Sequence, residues 1–293
     1  MNSVKLKARA KINLGLDVIG KREDGYHEVR MIMQSLNLYD GVIIRKSDVP
    51  GIRLTTNRGY LPTNEDNLMY KAARILMDEY HVESGVEIEL EKFIPVAAGM
   101  AGGSSDAAAT LVGMNRLFQL GASREKLMEL GLRIGADVPF CIMRGTVLAE
   151  GIGEKLSKLP PMMSCPIVIA KPGINVSTRF VYQNLQIDEQ TVHPDIDGMI
   201  DAITEKDLKG VCSRLGNVLE SVTVKEYPVI DTIKQEMISK GAMNSLMSGS
   251  GPTVFGIFKS RRTAHQCADY LKESGLARQV FVTDVFGGKR EFD

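Results

Sequence analysis

The amino-acid sequence predicts an α+β protein with two domains. Strand-like and helical patterns follow one another without the regular strand–helix alternation of a parallel doubly wound sheet. A chain of 293 residues is long enough for two domains with real cores. The segment 159–162, Leu-Pro-Pro-Met, is the best candidate for a hinge between them. We therefore expect domains at residues 1–160 and 161–293.

The first half is expected to begin with a β-strand. Apolar residues fill nearly every even position of residues 4–18, which is the period of a half-buried strand. This period places Lys11 and Asn13 on one face. The other predicted elements before the hinge are a strand at 30–45, a helix after a capping box at 63–66, a strand at 86–90 and a helix at 124–135.

A segment of small residues at 95–110 carries the strongest signal in the chain. Gly99, Gly102 and Gly103 can take positive φ, so successive N–H groups can turn toward one anion. The serines and alanines after them suit the start of a helix, whose free amides favour phosphate. A tight turn before a packed helix is the structural alternative. No lysine follows the glycines, so positive charge for a phosphate must come from elsewhere.

The remaining pattern contains one notable turn and an α+β second half. Pro139 disfavours helix at Val138 and places Asp137 in a turn. The elements expected beyond the hinge are helices at 195–220 and 227–240, a strand at 253–258, a helix at 261–274 and a strand at 279–285.

Composition limits the classes of partner. Lys+Arg and Asp+Glu both total 36, so no net field draws the chain to nucleic acid or to a membrane surface. No apolar run has the length of a membrane span, and the first residues lack a signal core. The four cysteines and four histidines show no metal-ligand spacing. We expect a cytoplasmic protein with reduced thiols and a small-molecule substrate, either monomer or homodimer.

The segment 95–108 resembles the phosphate-binding motif of the GHMP kinases, a superfamily that includes sugar, homoserine, mevalonate and phosphomevalonate kinases. Residues 8–14 are similar to its first motif and residues 247–253 to its C-terminal glycine motif. The three motifs occur in the family order and span nearly the whole chain. The resemblance implies an ATP-binding domain of the ribosomal S5 domain 2-like type and a ferredoxin-like substrate domain, with the active site between them.

Three shorter motifs narrow the resemblance. Residues 11–14, 24–27 and 135–140 are similar to the kinases that phosphorylate the 2-hydroxyl of a cytidine-diphosphate-linked methylerythritol, in the non-mevalonate route to isoprenoid precursors. ATP and Mg²⁺ are the implied cofactors. A GHMP kinase whose substrate has no base is the nearest alternative. A non-catalytic nucleotide sensor is a second one, and the presence of both Lys11 and Asp137 argues against it.

The resemblance implies two catalytic residues. Asp137 would take or orient the proton of the substrate hydroxyl, and Lys11 would keep that carboxylate ionised and steady the nucleophile. From the pattern alone, Asp137 could equally be a turn or capping residue and Lys11 a solvated strand lysine.

The resemblance also implies two sets of ligand-binding residues. Asn67 and Lys92 would line the adenine pocket, although a helix cap and a surface lysine are the alternatives. Ser104 or Ser105 would offer a hydroxyl to phosphate or Mg²⁺, and Ala101 stands where some members have glycine. The rest of the ATP set is Pro95, Val96, Ala97, Ala98, Gly99, Met100, Gly102 and Gly103. The substrate set is Tyr26 and Tyr182 sandwiching the cytosine, His27 selecting it, and Asn13, Thr178, Gly249, Ser250 and Gly251.

Overall fold

The computed structural model describes residues 2–287. Its strands are β1 (Ser3–Lys21), β2 (His27–Ser47), β3 (Ile52–Thr56), β4 (Gly85–Glu91), β5 (Thr146–Gly151), β6 (Lys155–Lys158), β7 (Pro166–Lys171), β8 (Gly216–Asn217), β9 (Asn244–Met247), β10 (Val254–Ile257) and β11 (Gln279–Asp284). Its helices are α1 (Leu68–Glu79), α2 (Gly102–Phe118), α3 (Arg124–Leu132), α4 (Val138–Met143), α5 (Thr178–Asn184), α6 (Ile196–Thr204), α7 (Leu208–Ser213), α8 (Glu220–Glu226), α9 (Val229–Ser239) and α10 (Arg261–Glu273).

The first sheet is built around the long antiparallel pair β1 and β2. Its order is β3-β4-β2-β1-β8, and β5 continues along β2 with β6 beyond it. The predicted half-buried strand describes the start of β1, where exposed and buried residues alternate up to Leu6. From Ala8 to Val18 every residue is buried, so Lys11 and Asn13 are buried rather than solvated.

The second sheet confirms the ferredoxin-like expectation. It is antiparallel, with the order β11-β7-β10-β9. Helix α9 lies in sequence between β7 and β9, and α10 lies between β10 and β11, which gives the β-α-β-β-α-β arrangement. The chain passes from the first sheet to the second between Lys158 and Pro166, where the proline pair lies. The boundary at residue 160 itself stays a prediction.

Helix α2 brings the glycine-rich segment to the centre of the first domain. It packs against α1, α3, α4 and the β1–β2 pair. Its residues from Ser105 to Met114 are all buried, because alanine and glycine let neighbouring elements approach closely. The loop before α2 is therefore held on one side by a buried helix.

Several predicted boundaries are wrong for local reasons. The proposed capping box at 63–66 forms a turn, and Asn67 caps α1 by accepting a hydrogen bond from the Met69 N–H at 2.9 Å. The predicted helix at 195–220 is broken into α6, α7 and β8, and Lys206 between the two helices has a φ of 59°. Asp137 does lie in a turn, but α4 begins directly after it, because proline is tolerated in the first helical turn.

The two sheets share their hydrophobic packing. One cluster joins Leu6 and Leu16 of β1 to Val168 and Val254 of the second sheet, among many others. Among residues 2–287, no helix is both long enough and apolar enough to cross a membrane.

Candidate active site

A cavity of about 620 Å³ receives residues from both halves of the chain. The predicted site residues that line it are Lys11, Asn13, Asn67, Lys92, Pro95, Val96, Ala97, Ala98, Gly99, Ala101, Gly102, Gly103, Ser104, Asp137, Thr178, Tyr182, Gly249, Ser250 and Gly251. Of the predicted residues, all of which the structure describes, Tyr26, His27, Met100 and Ser105 are not part of the lining.

The phosphate loop, residues 95–101, leads into the N-terminus of α2 at the cavity. Ala101 is the N-cap residue with a φ of 53°, and no side chain caps the helix. The amides of the first turn are thus left for a ligand, and the helix dipole favours an anion there. Gly99 has a φ of 69°, and a Cβ on it would lie 2.2 Å from the Ser248 carbonyl oxygen. Only glycine fits this position, because conformation and space both exclude a side chain.

The two serines at the start of α2 have different environments. Ser105 is buried and does not line the cavity, and its hydroxyl donates to the Arg9 carbonyl oxygen at 2.7 Å. Ser104 is half-buried and lines the cavity. Met100 is also buried, and its carbonyl accepts from the Lys11 N–H at 3.2 Å. The phosphate loop is therefore bound to β1 through Met100, and the first turn of α2 is bound to β1 through Ser105.

Lys92 lines the cavity and is not a surface lysine, because its ammonium group is buried between two carboxyl groups. Its Nζ lies 2.6 Å from Asp40 Oδ2 and 2.6 Å from Asp106 Oδ2, and the three side chains are at most 4% exposed. Burial alone would lower the pKa of Lys92, but the two carboxylates outweigh it and raise that pKa. A Cβ on Gly102 would lie 2.9 Å from Nζ, so the ammonium group packs directly against the first residue of α2.

Lys11 and Asp137 line the cavity together with the phosphate loop. The Lys11 Nζ donates to Asn13 Oδ1 at 2.7 Å, and both side chains are buried. Because Asn13 is neutral, this bond orients the ammonium group without cancelling its charge. Asp137 occupies the N-cap position of α4, yet its carboxylate makes no hydrogen bond to that helix. The carboxylate is thus not used for capping, although its position is that of a cap.

One of the predicted cytosine-binding tyrosines contacts the predicted histidine. Tyr182 lies against His27, with ring centroids 5.1 Å apart and an interplanar angle of 39°. Tyr26 is 61% exposed in the turn between β1 and β2 and does not line the cavity. Burial and the nearby Asp137 carboxylate raise the pKa of Tyr182 to about 12. Burial and the Lys21 ammonium group lower the pKa of His27, so its ring is neutral at pH 7.

The C-terminal glycine loop, residues 248–251, closes the other side of the cavity. The Ser248 hydroxyl donates to the Gly99 carbonyl oxygen at 2.9 Å, which joins this loop directly to the phosphate loop. The Ser250 and Thr178 hydroxyl oxygens are 2.8 Å apart. The loop also contains a cis peptide bond between Gly251 and Pro252. Substrate bound between the two loops would contact both sheets' elements at once.

Comparison with known proteins identifies the family. The sequence models described as the GHMP kinases N terminal domain and GHMP kinases C terminal match residues 67–145 and 199–276. The 4-diphosphocytidyl-2-C-methyl-D-erythritol kinase of Lachnospira eligens is 59% identical, over 98% of this chain and 99% of the relative. That of Acetivibrio thermocellus is 53% identical, over 97% of this chain and all of the relative. The chain belongs to this family of GHMP kinases.

Solved structures agree with the family and the fold. A crystal structure of 4-(cytidine 5'-diphospho)-2C-methyl-D-erythritol kinase superposes with a TM-score of 0.83 at 30% identity, covering 97% of this chain and all of the other. Homoserine kinase from Cytophaga hutchinsonii gives a TM-score of 0.80 at 23% identity, covering 98% and 96%, which shows the shared fold alone. As a GHMP kinase, the protein uses ATP.

Some residues of this kinase's site carry no signal in the sequence. Asp40 and Asp106 hold Lys92, and Ser248 holds Gly99, across sequence separations of 14 to 149 residues. Asn217 is a further example, because its buried side chain donates to the Met247 and Gly249 carbonyls. Side-chain bonds to a distant backbone follow no local period, so only the fold reveals them.

Proposed function

We propose that this kinase transfers the γ-phosphoryl group of ATP to the 2-hydroxyl of 4-diphosphocytidyl-2-C-methyl-D-erythritol, giving the 2-phosphate and ADP. The observation that carries the proposal is that Lys11, Asp137 and the phosphate loop line one cavity. Phosphoryl transfer to an alcohol needs a proton acceptor, a positive charge near the transferring group and a site for the phosphates. The Asp137 carboxylate, the Lys11 ammonium group and the uncapped N-terminus of α2 would supply these three. Relatives up to 59% identical bear the name of this activity.

The nucleotide phosphates would bind to the loop and to the first amides of α2. The Ser104 hydroxyl faces the same cavity and would contact phosphate or Mg²⁺. Magnesium usually takes one or two protein oxygen ligands, phosphates and waters. This fits a site where residues 2–287 form no cluster of three or more metal-ligating side chains. Bound Mg²⁺ would neutralise charge on the phosphates. Asn67, which lines the cavity and also caps α1, would contact the adenine.

Asp137 would accept the proton of the 2-hydroxyl while the hydroxyl oxygen attacks the γ-phosphorus. The bond between this phosphorus and the β–γ bridging oxygen breaks, and ADP leaves with the electron pair. The Lys11 ammonium group, oriented by Asn13, would stabilise the charge that develops on the transferring phosphoryl group.

The cytosine would be held at the aromatic pair. Tyr182 lines the cavity, and His27 lies against it. A flat base can stack on the tyrosine ring, while a neutral histidine offers both a donor and an acceptor to the base edge. Tyr26, exposed in the turn between β1 and β2, would stack on the other face of the cytosine.

Mass spectrometry of the cytidyl substrate after incubation with Mg²⁺ and ATP tests the proposal, with mevalonate, phosphomevalonate and homoserine in parallel. We expect a phosphoryl group on the cytidyl compound alone.

Asp137→Asn should lower kcat by about 10²- to 10⁴-fold and leave the Kd of ATP within about threefold. Asp207→Asn is a matched control, because Asp207 is also an N-cap residue that makes no cap hydrogen bond. Full activity in Asp137→Asn would refute this residue as the base.

A further inference from the structure

Three side chains of residues 217–223 bind backbone groups of residues 247–250, at the C-terminal glycine loop. Asn217, Glu220 and Thr223 are spaced by three residues. The Asn217 amide donates to the Met247 carbonyl at 2.9 Å and to the Gly249 carbonyl at 2.8 Å. Its Oδ1 accepts from the Leu219 N–H at 3.0 Å. The side chain therefore uses both of its donors and its acceptor oxygen, which fixes its orientation.

The other two residues complete the contact. Glu220 Oε1 accepts from the Met247 N–H at 2.9 Å, and Oε2 accepts from Lys234 Nζ at 2.6 Å. The Met247 residue is thus held at its N–H by Glu220 and at its carbonyl by Asn217. The Thr223 hydroxyl lies 3.3 Å from the Ser250 carbonyl oxygen and 3.2 Å from the Leu219 carbonyl oxygen, so its one hydrogen is shared between them. We call these three residues the loop clamp.

The segment that carries the loop clamp begins in the first sheet and continues into α8. Gly216 and Asn217 form β8, which pairs in parallel with Gly15 and Leu16 of β1. The Val218 N–H donates to the Leu16 carbonyl at 3.0 Å. The same strand β1 carries Lys11. One short segment therefore bonds with its backbone to the strand of the proposed catalytic lysine and with its side chains to the glycine loop.

The held loop in turn touches the phosphate loop. The Ser248 hydroxyl donates to the Gly99 carbonyl at 2.9 Å, and a Cβ on Gly249 would lie 3.3 Å from that same oxygen. The spacing between the two loops therefore depends on where Met247 and Gly249 are held. Transfer between two bound substrates is sensitive to displacements of this kind on the scale of 1 Å.

We infer that Asn217, supported by Glu220 and Thr223, is a positioning residue for phosphoryl transfer: it fixes the C-terminal glycine loop against the phosphate loop. This inference rests on the proposed function for its kinetic consequence. Its structural part, that Asn217 orders both loops, stands independently of which alcohol the kinase phosphorylates.

The decisive variant is Asn217→Asp, which keeps size and shape but replaces two donors with an oxygen that faces two carbonyls. We expect kcat to fall at least about tenfold while the Kd of ATP changes less than about threefold. Asn244→Asp is the matched control. Asn244 also donates to a backbone carbonyl, that of Cys212 at 2.6 Å, and accepts a backbone N–H, but this carbonyl belongs to α7 and not to either loop.

Hydrogen–deuterium exchange without substrates gives the second readout. Residues 247–251 and 96–101 should both exchange faster in Asn217→Asp than in wild type and in Asn244→Asp. Unchanged exchange in these loops, or a kcat equal to that of the control, would overturn the inference. Should Asn217→Asp not fold, Thr223→Val removes one clamp bond with little change in shape and should give the same pattern more weakly. A wild-type protein inactive on the cytidyl substrate would refute the proposed function, while the exchange still decides this inference.

Discussion

The buried cluster of Lys92, Asp40 and Asp106 contains two carboxyl groups and one ammonium group. Asp40 also binds the backbone: its Oδ1 accepts the N–H groups of Phe93 and Ile94 at 2.5 and 2.8 Å. Burial raises the pKa of Asp106 well above its usual range; Lys92 opposes this shift and Asp40 adds to it. Within residues 2–287, the Asp106 Oδ1 is buried without a hydrogen-bond partner, which costs less for a neutral carboxyl than for a carboxylate. Burial in the folded protein thus favours the protonated form of Asp106 more than water does.

Asp106 should therefore make stability depend on pH. A carboxyl whose pKa is raised by folding binds its proton more tightly in the folded state. Its contribution is complete below the unfolded pKa and is lost as the pH rises through the folded pKa. We expect the free energy of unfolding of wild type, relative to Asp106→Asn, to fall as the pH rises above the ordinary carboxyl pKa of about 4, with a limiting slope of about 1.4 kcal/mol per pH unit. Urea unfolding from about pH 4 upward measures the difference.

Asp40→Asn provides the contrast. It removes the carboxylate that accepts two backbone N–H groups at the entrance to the phosphate loop, so it should destabilise the protein by about 3 kcal/mol or more at pH 7. Asp106→Asn should cost much less at that pH, because an amide resembles a protonated carboxyl in shape and charge. Equal losses from the two variants, with parallel pH profiles, would contradict the raised pKa of Asp106.

At the scale of the element, the phosphate loop stores local strain. Ala97 and Ala101 have φ values of 50° and 53°, in the left-handed region that costs an L-residue roughly 1–2 kcal/mol. Glycine removes this cost but gives the unfolded chain more freedom, worth about 0.4–1 kcal/mol. We expect Ala101→Gly to stabilise the protein by up to about 1 kcal/mol, measured by urea unfolding. The same change at Ala108, inside α2, should destabilise it by about 1 kcal/mol or more. A loss at Ala101 as large as that at Ala108 would contradict the strain.

Elements with a local pattern could be predicted from the sequence, and those set by distant contacts could not. The period of β1 and the glycine-to-alanine run before α2 are local, and both elements form where expected. Strand β7 was not predicted because five of its six residues are buried, which leaves no alternation. Strand β8 has two residues and exists only through its pairing with β1. The loop clamp and the Lys92 cluster are likewise products of the tertiary fold.

At the scale of the whole molecule, the two sheets are not separate folding units. Both hydrophobic clusters contain residues from each sheet: the second joins Ala10 and Ile12 of β1 to Ile167 and Phe255. The chain also returns to the first sheet after the hinge, in β8 and in the bridge between Leu36 and Val285. A cut at residue 160 would therefore expose core side chains on both fragments rather than release two finished domains.

This shared packing predicts a single cooperative unfolding transition, although proteins of this length often unfold in steps. Calorimetry should give one transition whose van't Hoff and calorimetric enthalpies agree. Nucleotide at about 100 times its Kd should shift that whole transition by about 2.7 kcal/mol, even though the phosphate loop belongs to the first sheet's side of the cavity. A fragment of residues 1–160 should not show the same transition, since it lacks β8, about a third of the first shared cluster and more than half of the second. Two resolved transitions, with only one moved by nucleotide, would mean that the sheets fold independently and that the cavity between them forms by docking.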